Sequence, residues 1–199
     1  MSLRDVLIDE LRDLYSAENQ LIKALPKVAK ATSDAQLKTI FAEHLEETKN
    51  HVQRLKLVFE HIGKKATGEH CNGMEGLLKE GKDAIEKDEE GATKDVCLAG
   101  AALRIEHYEI AGYSAAIAIA KTLNKSEIVA LLTATLNEEL TASKKVEAQT
   151  KPILAKSAAD GVEEEKDDTP KTAKEKESDR KIKADPAGAS KSLKKFSSK

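Results

Sequence analysis

The chain has 199 residues and a formal net charge of -2, with 34% of residues charged and 3% aromatic. This length suffices for one sizeable core with or without a tail, and the balanced charge gives no global attraction to nucleic acid or an anionic surface. With no tryptophan and abundant Ala, Leu, Lys and Glu, the composition excludes a β-rich core and favours an all-α fold.

No apolar run approaches the ~20 residues of a membrane span, and the N-terminal segment lacks the charged and apolar regions of a secretory signal. Cys71 and Cys97 form no CxxC pair and no disulfide framework, so a cytoplasmic protein with packing cysteines is expected. Neither a membrane nor a nucleic-acid partner is expected.

The first predicted helix carries Leu3, Leu7, Leu11, Leu14, Glu18, Leu21, Leu25 and Val28 at helical spacing, with Pro26 expected to loosen its end. Ser33 or Asp34 can cap a second helix, whose stripe runs Leu37, Phe41, His44, Glu47 or Thr48, His51, Leu55, Val58 and Ile62 and stops at Gly63. A loop over 64–72 leads into a short amphipathic piece over 74–87, so the connection is a long crossover.

A third long helix spans about 95–123, with Leu98, Ala102, Glu106, Glu109, Tyr113, Ile117 and Ala120 on one stripe. Asn124 can close it, and Ser126 can cap a fourth carrying Ile128, Leu132, Thr135, Glu139, Ala142 and Val146. After Pro152 the pattern collapses into charged residues with few large apolar ones. A domain over 1–150 and a mostly disordered tail over 151–199 are expected.

Each long helix thus places an acid on its packing stripe, which is costly without a compensating partner. The short, long, short connection pattern is that of a ferritin-like four-helix bundle with a long crossover containing a short fifth helix. Glu18 and Glu47 each lie about 15 residues from the first hairpin turn, and Glu109 and Glu139 about 15 from the second, roughly 22 Å along each axis. In a bundle about 45 Å long with its two turns at opposite ends, both pairs reach the midplane.

His44 shares a level with Glu106 and can join the cluster, with His51 as the competing imidazole and Glu138 as the alternative to Glu139. The candidate metal ligands are therefore Glu18, His44, Glu47, Glu106, Glu109 and Glu139. Carboxylates with one or two imidazoles suit iron or manganese, with zinc as a further option.

Phe41-x-x-His44-x-x-Glu47-Thr48, Arg54-Leu55, Cys71-x-x-Met74-x-Gly76-Leu77, Glu106-His107-Tyr108-Glu109-Ile110-Ala111 and Thr135-Leu136-x-Glu138-Glu139 together resemble the YciE/YciF family of bacterial stress-associated ferritin-like proteins. The resemblance covers roughly residues 1–150 and implies a homodimer and a di-iron-type centre similar to that of rubrerythrins, with two irons per chain.

Ferritin-like di-iron sites usually carry Glu-x-x-His on the second and fourth helices. Here Asn50 follows Glu47 at that spacing, and Thr141 and Ala142 follow Glu138 and Glu139. The expected centre is rich in carboxylates and poor in histidine.

The function expected is Fe(II) binding with oxygen or hydrogen peroxide as oxidant, a ferroxidase or peroxide-reducing oxidoreductase in stress protection. The alternative is a non-catalytic, metal-stabilised dimeric bundle acting through structure or a partner. Tyr15 and Tyr113 lie within helical reach of the cluster.

Overall fold

Residues 1–88 and 90–167 are described by the computed structural model, with side chains through residue 160. The expected charged tail beyond 167 lies outside the described residues. Met1–Ala159 forms one compact unit, and a second unit begins at Asp160.

Five helices follow in order: α1 (Leu3–Ala31), α2 (Ala35–His61), α3 (Asn72–Glu86), α4 (Gly91–Thr122) and α5 (Ser126–Asp167). The fold is all-α, a ferritin-like bundle with α3 inside the long crossover. No described helix is long and apolar enough to cross a membrane.

Local chemistry sets the helix ends. Ser2 caps α1 through a reciprocal box: its Oγ accepts from the Asp5 N–H at 3.2 Å, while Asp5 Oδ2 accepts from the Ser2 N–H at 2.8 Å. Asp34 caps α2 by accepting from the Leu37 N–H at 2.7 Å. Two helices close with the same pair of backbone bonds. After α2, Gly63 at φ 70° lets Gly63 N–H reach Glu60 O and Lys64 N–H reach Phe59 O. After α4, Asn124 at φ 54° does the same with Lys121 O and Ala120 O. Asparagine tolerates this left-handed turn better than most residues, which is why Asn124 can stand where glycine is usual.

Both prolines expected to disturb helices lie inside them, Pro26 in α1 and Pro152 in α5. α5 also runs on past the domain edge expected at 150. Its continuation packs: Ile153 is buried, and Thr93 and Ser157 share a 2.8 Å hydrogen bond. Sequence periodicity passes over this extension because one buried isoleucine among charged residues makes no stripe.

The core is two apolar clusters. One joins Leu7, Leu11 and Leu14 of α1 to Leu55 and Phe59 of α2, Ala116 and Ala120 of α4, and Ile128 and Leu132 of α5. The other joins Leu21 and Leu25 to Leu37 and Phe41, Ala99 and Ile105, and Val146 and Ile153. On every long helix the buried acids and histidines lie between the two sets.

The turn between α1 and α2 is anchored from α4 by an acid the sequence stripe does not reveal. Asp95 is 1% exposed and accepts from the Ser33 N–H at 2.8 Å and the Asp34 N–H at 2.7 Å. Asp95→Ala leaves both donors without that partner and is expected to lower unfolding free energy by about 2–3 kcal/mol, read from urea denaturation. A loss under 0.5 kcal/mol would show that the turn holds without this anchor.

Candidate metal centre

Six buried residues meet between the two apolar clusters: Glu18 from α1, His44 and His51 from α2, Glu106 and Glu109 from α4, and Glu139 from α5. Helical spacing brings them there. His44 and His51 are seven residues apart, two turns on one face, and Glu106 and Glu109 are one turn apart.

Two triads have ligand atoms close enough to share a cation, Glu18–His51–Glu139 and His44–Glu106–Glu139. Glu139 belongs to both. His51 Nδ1 stands 2.9 Å from Glu139 Oε1 and 3.4 Å from Glu18 Oε1. His44 Nε2 stands 3.3 Å from Glu106 Oε1 and 3.7 Å from Glu139 Oε2.

Each imidazole turns its other nitrogen outward to a carboxylate. His44 Nδ1 lies 3.4 Å from Glu47 Oε2, and His51 Nε2 lies 2.8 Å from Glu138 Oε2. Glu138 is held in turn by Arg54, whose Nη2 donates to Oε1 at 2.8 Å and whose Nη1 donates to Oε2. A carboxylate behind a histidine fixes its tautomer and ring orientation and raises its basicity toward a metal. Tyr113, fully buried, donates to Glu18 Oε1 at 2.5 Å. Tyr15 instead packs edge-on against Phe59, ring centres 6.1 Å apart.

Of the six ligands expected from sequence, Glu18, His44, Glu106 and Glu139 lie in the triads. Glu109 is fully buried, with both carboxylate oxygens lacking a hydrogen-bond partner. Glu47 stands apart from the triads, with a side chain 30% exposed and an oxygen 3.9 Å from Lys145 Nζ. His51 occupies a triad although it enters the sequence reading only as a competing imidazole. Between the rival acids of α5, Glu139 is buried and Glu138 is one-third exposed beside Arg54. The seven-residue spacing of the two histidines is the signal that both belong. The Arg54–Glu138 pair has no comparable signal, since it joins helices 84 positions apart.

The electrostatics follow from crowding acids in a dry layer. Burial raises the pKa of Glu106 to about 8, with His44 pulling the other way and Glu139 adding to the rise. Burial likewise pushes Glu18 up and Glu109 well up, the latter helped by Glu18 and Glu139. For the histidines burial opposes the charge, but the acids prevail: Glu106, Glu47 and Glu139 lift His44 to about 9, and Glu139 and Glu18 lift His51 to about 11. Outside, Arg54 holds Glu138 below its ordinary value, and His44 does so for Glu47.

Eight buried side-chain atoms among the described residues make no well-aligned hydrogen bond: Glu18 Oε2, His44 Nε2, His51 Nδ1, Glu106 Oε2, and both oxygens of Glu109 and Glu139. The two imidazole nitrogens and Glu139 face one another as ion pairs, which leaves Glu18 Oε2, Glu106 Oε2 and both Glu109 oxygens without a partner. Every one belongs to this layer. Orphaned polar atoms are rare in folded proteins, and a cluster of them on carboxylates beside imidazoles fits hard or borderline divalent cations.

Cys71, by contrast, has partners. Its Sγ caps α3 by accepting from the Met74 N–H at 3.3 Å, and lies 3.1 Å from Asp13 Oδ2 and 3.0 Å from the Tyr108 hydroxyl.

A family model described as a domain of unknown function, DUF892, matches residues 2–159. Protein YciF of Escherichia coli K12 is 41% identical over 139 residues, 69% of this chain and 84% of that protein. The crystal structure of the E. coli stress protein YciF superposes with a TM-score of 0.76 at 38% identity, covering 78% of this chain and 99% of that one. YcfI from Rhodopseudomonas palustris gives 0.72 at 38% identity, covering 74% and 94%. A dodecameric thioferritin from Bacteroides fragilis, 16% identical, shares the fold at a TM-score of 0.62, covering 80% and 92%. With two candidate metal-binding clusters in a ferritin-related fold, the chain belongs to the YciE/YciF-like DUF892 family.

Proposed function

We propose that this protein binds two divalent cations, with Fe(II) as the physiological metal, and reacts with oxygen or hydrogen peroxide in stress protection. The observation that carries the reading is a buried layer of carboxylate and imidazole atoms in which Glu18 Oε2, Glu106 Oε2 and both oxygens of Glu109 have no hydrogen-bond partner. Glu18, His51 and Glu139 would hold one ion and His44, Glu106 and Glu139 the other, with Glu109 adding oxygens from α4. Two irons held together would supply the two electrons that reduction of peroxide requires.

The protein's own residues prepare the place. The apolar clusters on both sides exclude bulk water, and Tyr113 orients Glu18. Glu47 and Glu138 are positioning residues that aim His44 and His51 inward. Arg54→Ala is expected to weaken metal binding about 10-fold to 100-fold while leaving two ions per chain at saturation, because it frees Glu138 without removing a ligand. Competition with a chromophoric chelator measures this; unchanged affinity would place the Arg54–Glu138 pair outside the centre's support.

Anaerobic Fe(II) titration followed by peroxide tests the function. Two irons bound per chain, a diferric absorption band and peroxide consumption are expected. Two irons without peroxide or oxygen consumption would instead favour the non-catalytic, metal-stabilised bundle.

A further inference from the structure

A cleft of about 740 Å³ lies among residues of α1, α3 and α4, with Phe41 of α2, within the size range of small-molecule sites. Leu25, Phe41, Leu98 and Ile105 give it apolar walls, and Glu106 also lines it. Since Glu106 Oε1 is 3.3 Å from His44 Nε2, the cleft and the acid–histidine layer share a carboxylate.

Four exposed lysines stand around the same cleft: Lys23 and Lys27 on α1, Lys79 and Lys82 on α3. Lys82 pairs with Glu86 at 3.3 Å, and Glu75, which also lines the cleft, lies 3.1 Å from His70. Lys23, Lys27 and Lys79 form no ion pair among the described residues. An apolar interior beneath unpaired cations is complementary to an amphiphile with one anionic end.

Helix α3 adds an independent observation. It contains Gly73, Gly76 and Gly81, a composition that weakens a helix relative to alanine. Gly73 has a packing cause, because a Cβ there would meet the Tyr108 ring at 2.8 Å. The other two have none: at Gly76 a Cβ would meet nothing within 4 Å, and at Gly81 only Ala101 Cβ at an ordinary 3.8 Å. Both line the cleft, where a missing side chain keeps volume open.

We propose that this cleft binds a single-chain fatty acid, its carboxylate among Lys23, Lys27 and Lys79 and its acyl chain along Phe41 and Ile105 toward Glu106. The binding rests on the cleft alone; only the position of the chain end beside a metal centre rests on the function proposed above.

Laurate is the probe and dodecanol its uncharged counterpart, measured by calorimetry and native mass spectrometry on the full chain, with metal removed and with Mn(II) bound. One laurate per chain is expected in both states, with dodecanol at least 10-fold weaker. Gly76→Leu and Gly81→Leu should each weaken laurate at least 10-fold, and the combined Lys23→Glu, Lys27→Glu and Lys79→Glu variant should do so while keeping its helical circular dichroism and melting cooperativity. Glu109→Ala, expected to lose metal, should still bind laurate.

Absence of one-to-one binding, or binding that ignores both sets of variants, overturns the proposal. So does a dimer in sedimentation equilibrium that Gly76→Leu dissociates, because a second copy then covers the cleft. Failure of metal binding in the parent protein with laurate binding intact sinks the metal reading and leaves this one standing.

Discussion

Glu109→Leu is expected to make the metal-free protein more stable by about 2–4 kcal/mol and, in the same variant, to abolish the stabilisation that metal confers. Glu109 is fully buried with both oxygens unpartnered, and its pKa lies well above the ordinary 4.5. Burying a carboxyl away from water is costly, and leaving its hydrogen bonds unmade adds about 1–3 kcal/mol. Leucine has similar bulk and no polar atoms, so both costs disappear and no large cavity opens. The parent protein recovers its deficit only when a cation meets those oxygens; metal at a hundred times its dissociation constant contributes about 2.7 kcal/mol. The stability order should therefore reverse between chelator and excess Mn(II). Urea unfolding in both buffers measures it, and a Glu109→Leu protein less stable than the parent in chelator would mean that this carboxyl has a structural partner after all.

That reversal is the physical reason the centre is legible in sequence. A carboxylate on an apolar stripe conflicts with local patterning, and such conflicts gather at functional sites. Glu18, Glu106, Glu109 and Glu139 each break a largely apolar stripe; equal distances from two hairpin turns put Glu18, Glu47, Glu109 and Glu139 at one height, with Glu106 level with His44. The same arithmetic fixes the bundle topology, because Asp34, Gly63 and Asn124 punctuate the helices as their chemistry demands.

What periodicity resolves poorly is rotation about a helix axis. Glu47 and His51 are four residues apart, which at about 100° per residue leaves them only about 40° apart around α2. The structure puts His51 inside and leaves Glu47 behind His44, an arrangement that depends on how α2 rolls against α1, α4 and α5. Adjacent acids divide the same way, Glu139 inward and Glu138 onto Arg54. Tertiary anchors are less visible still. Asp95 caps a turn more than 60 positions away, and no local pattern distinguishes it from a solvated acid.

The protons stored in the layer give the second large expectation: the melting-temperature gap between Mn(II)-loaded and metal-free protein should widen steadily from pH 6 to pH 8.5. Glu106 near 8, His44 near 9 and His51 near 11 each bind a proton more tightly folded than unfolded. For such groups the proton-linked stability is complete below the unfolded pKa and is lost as pH rises toward the folded one. The metal-free protein thus weakens above about pH 4.5 through Glu106 and above about pH 6.5 through the histidines. Metal needs bare imidazole nitrogens and carboxylates, so loading expels those protons and affinity rises with pH. Displacing two imidazolium protons corresponds to about a hundred-fold in affinity, or about 2.7 kcal/mol, per pH unit. With metal in excess that is a widening of about 5–10 °C per unit for a chain of this size. Histidines with ordinary pKa values near 6.5 would already be neutral at pH 7.5, and the gap would then widen from there only by the smaller part that Glu106 carries. Scanning calorimetry at half-unit intervals separates the two cases, and a gap that widens above pH 7.5 only by that smaller part would show that His44 and His51 carry no excess protons for the metal to displace.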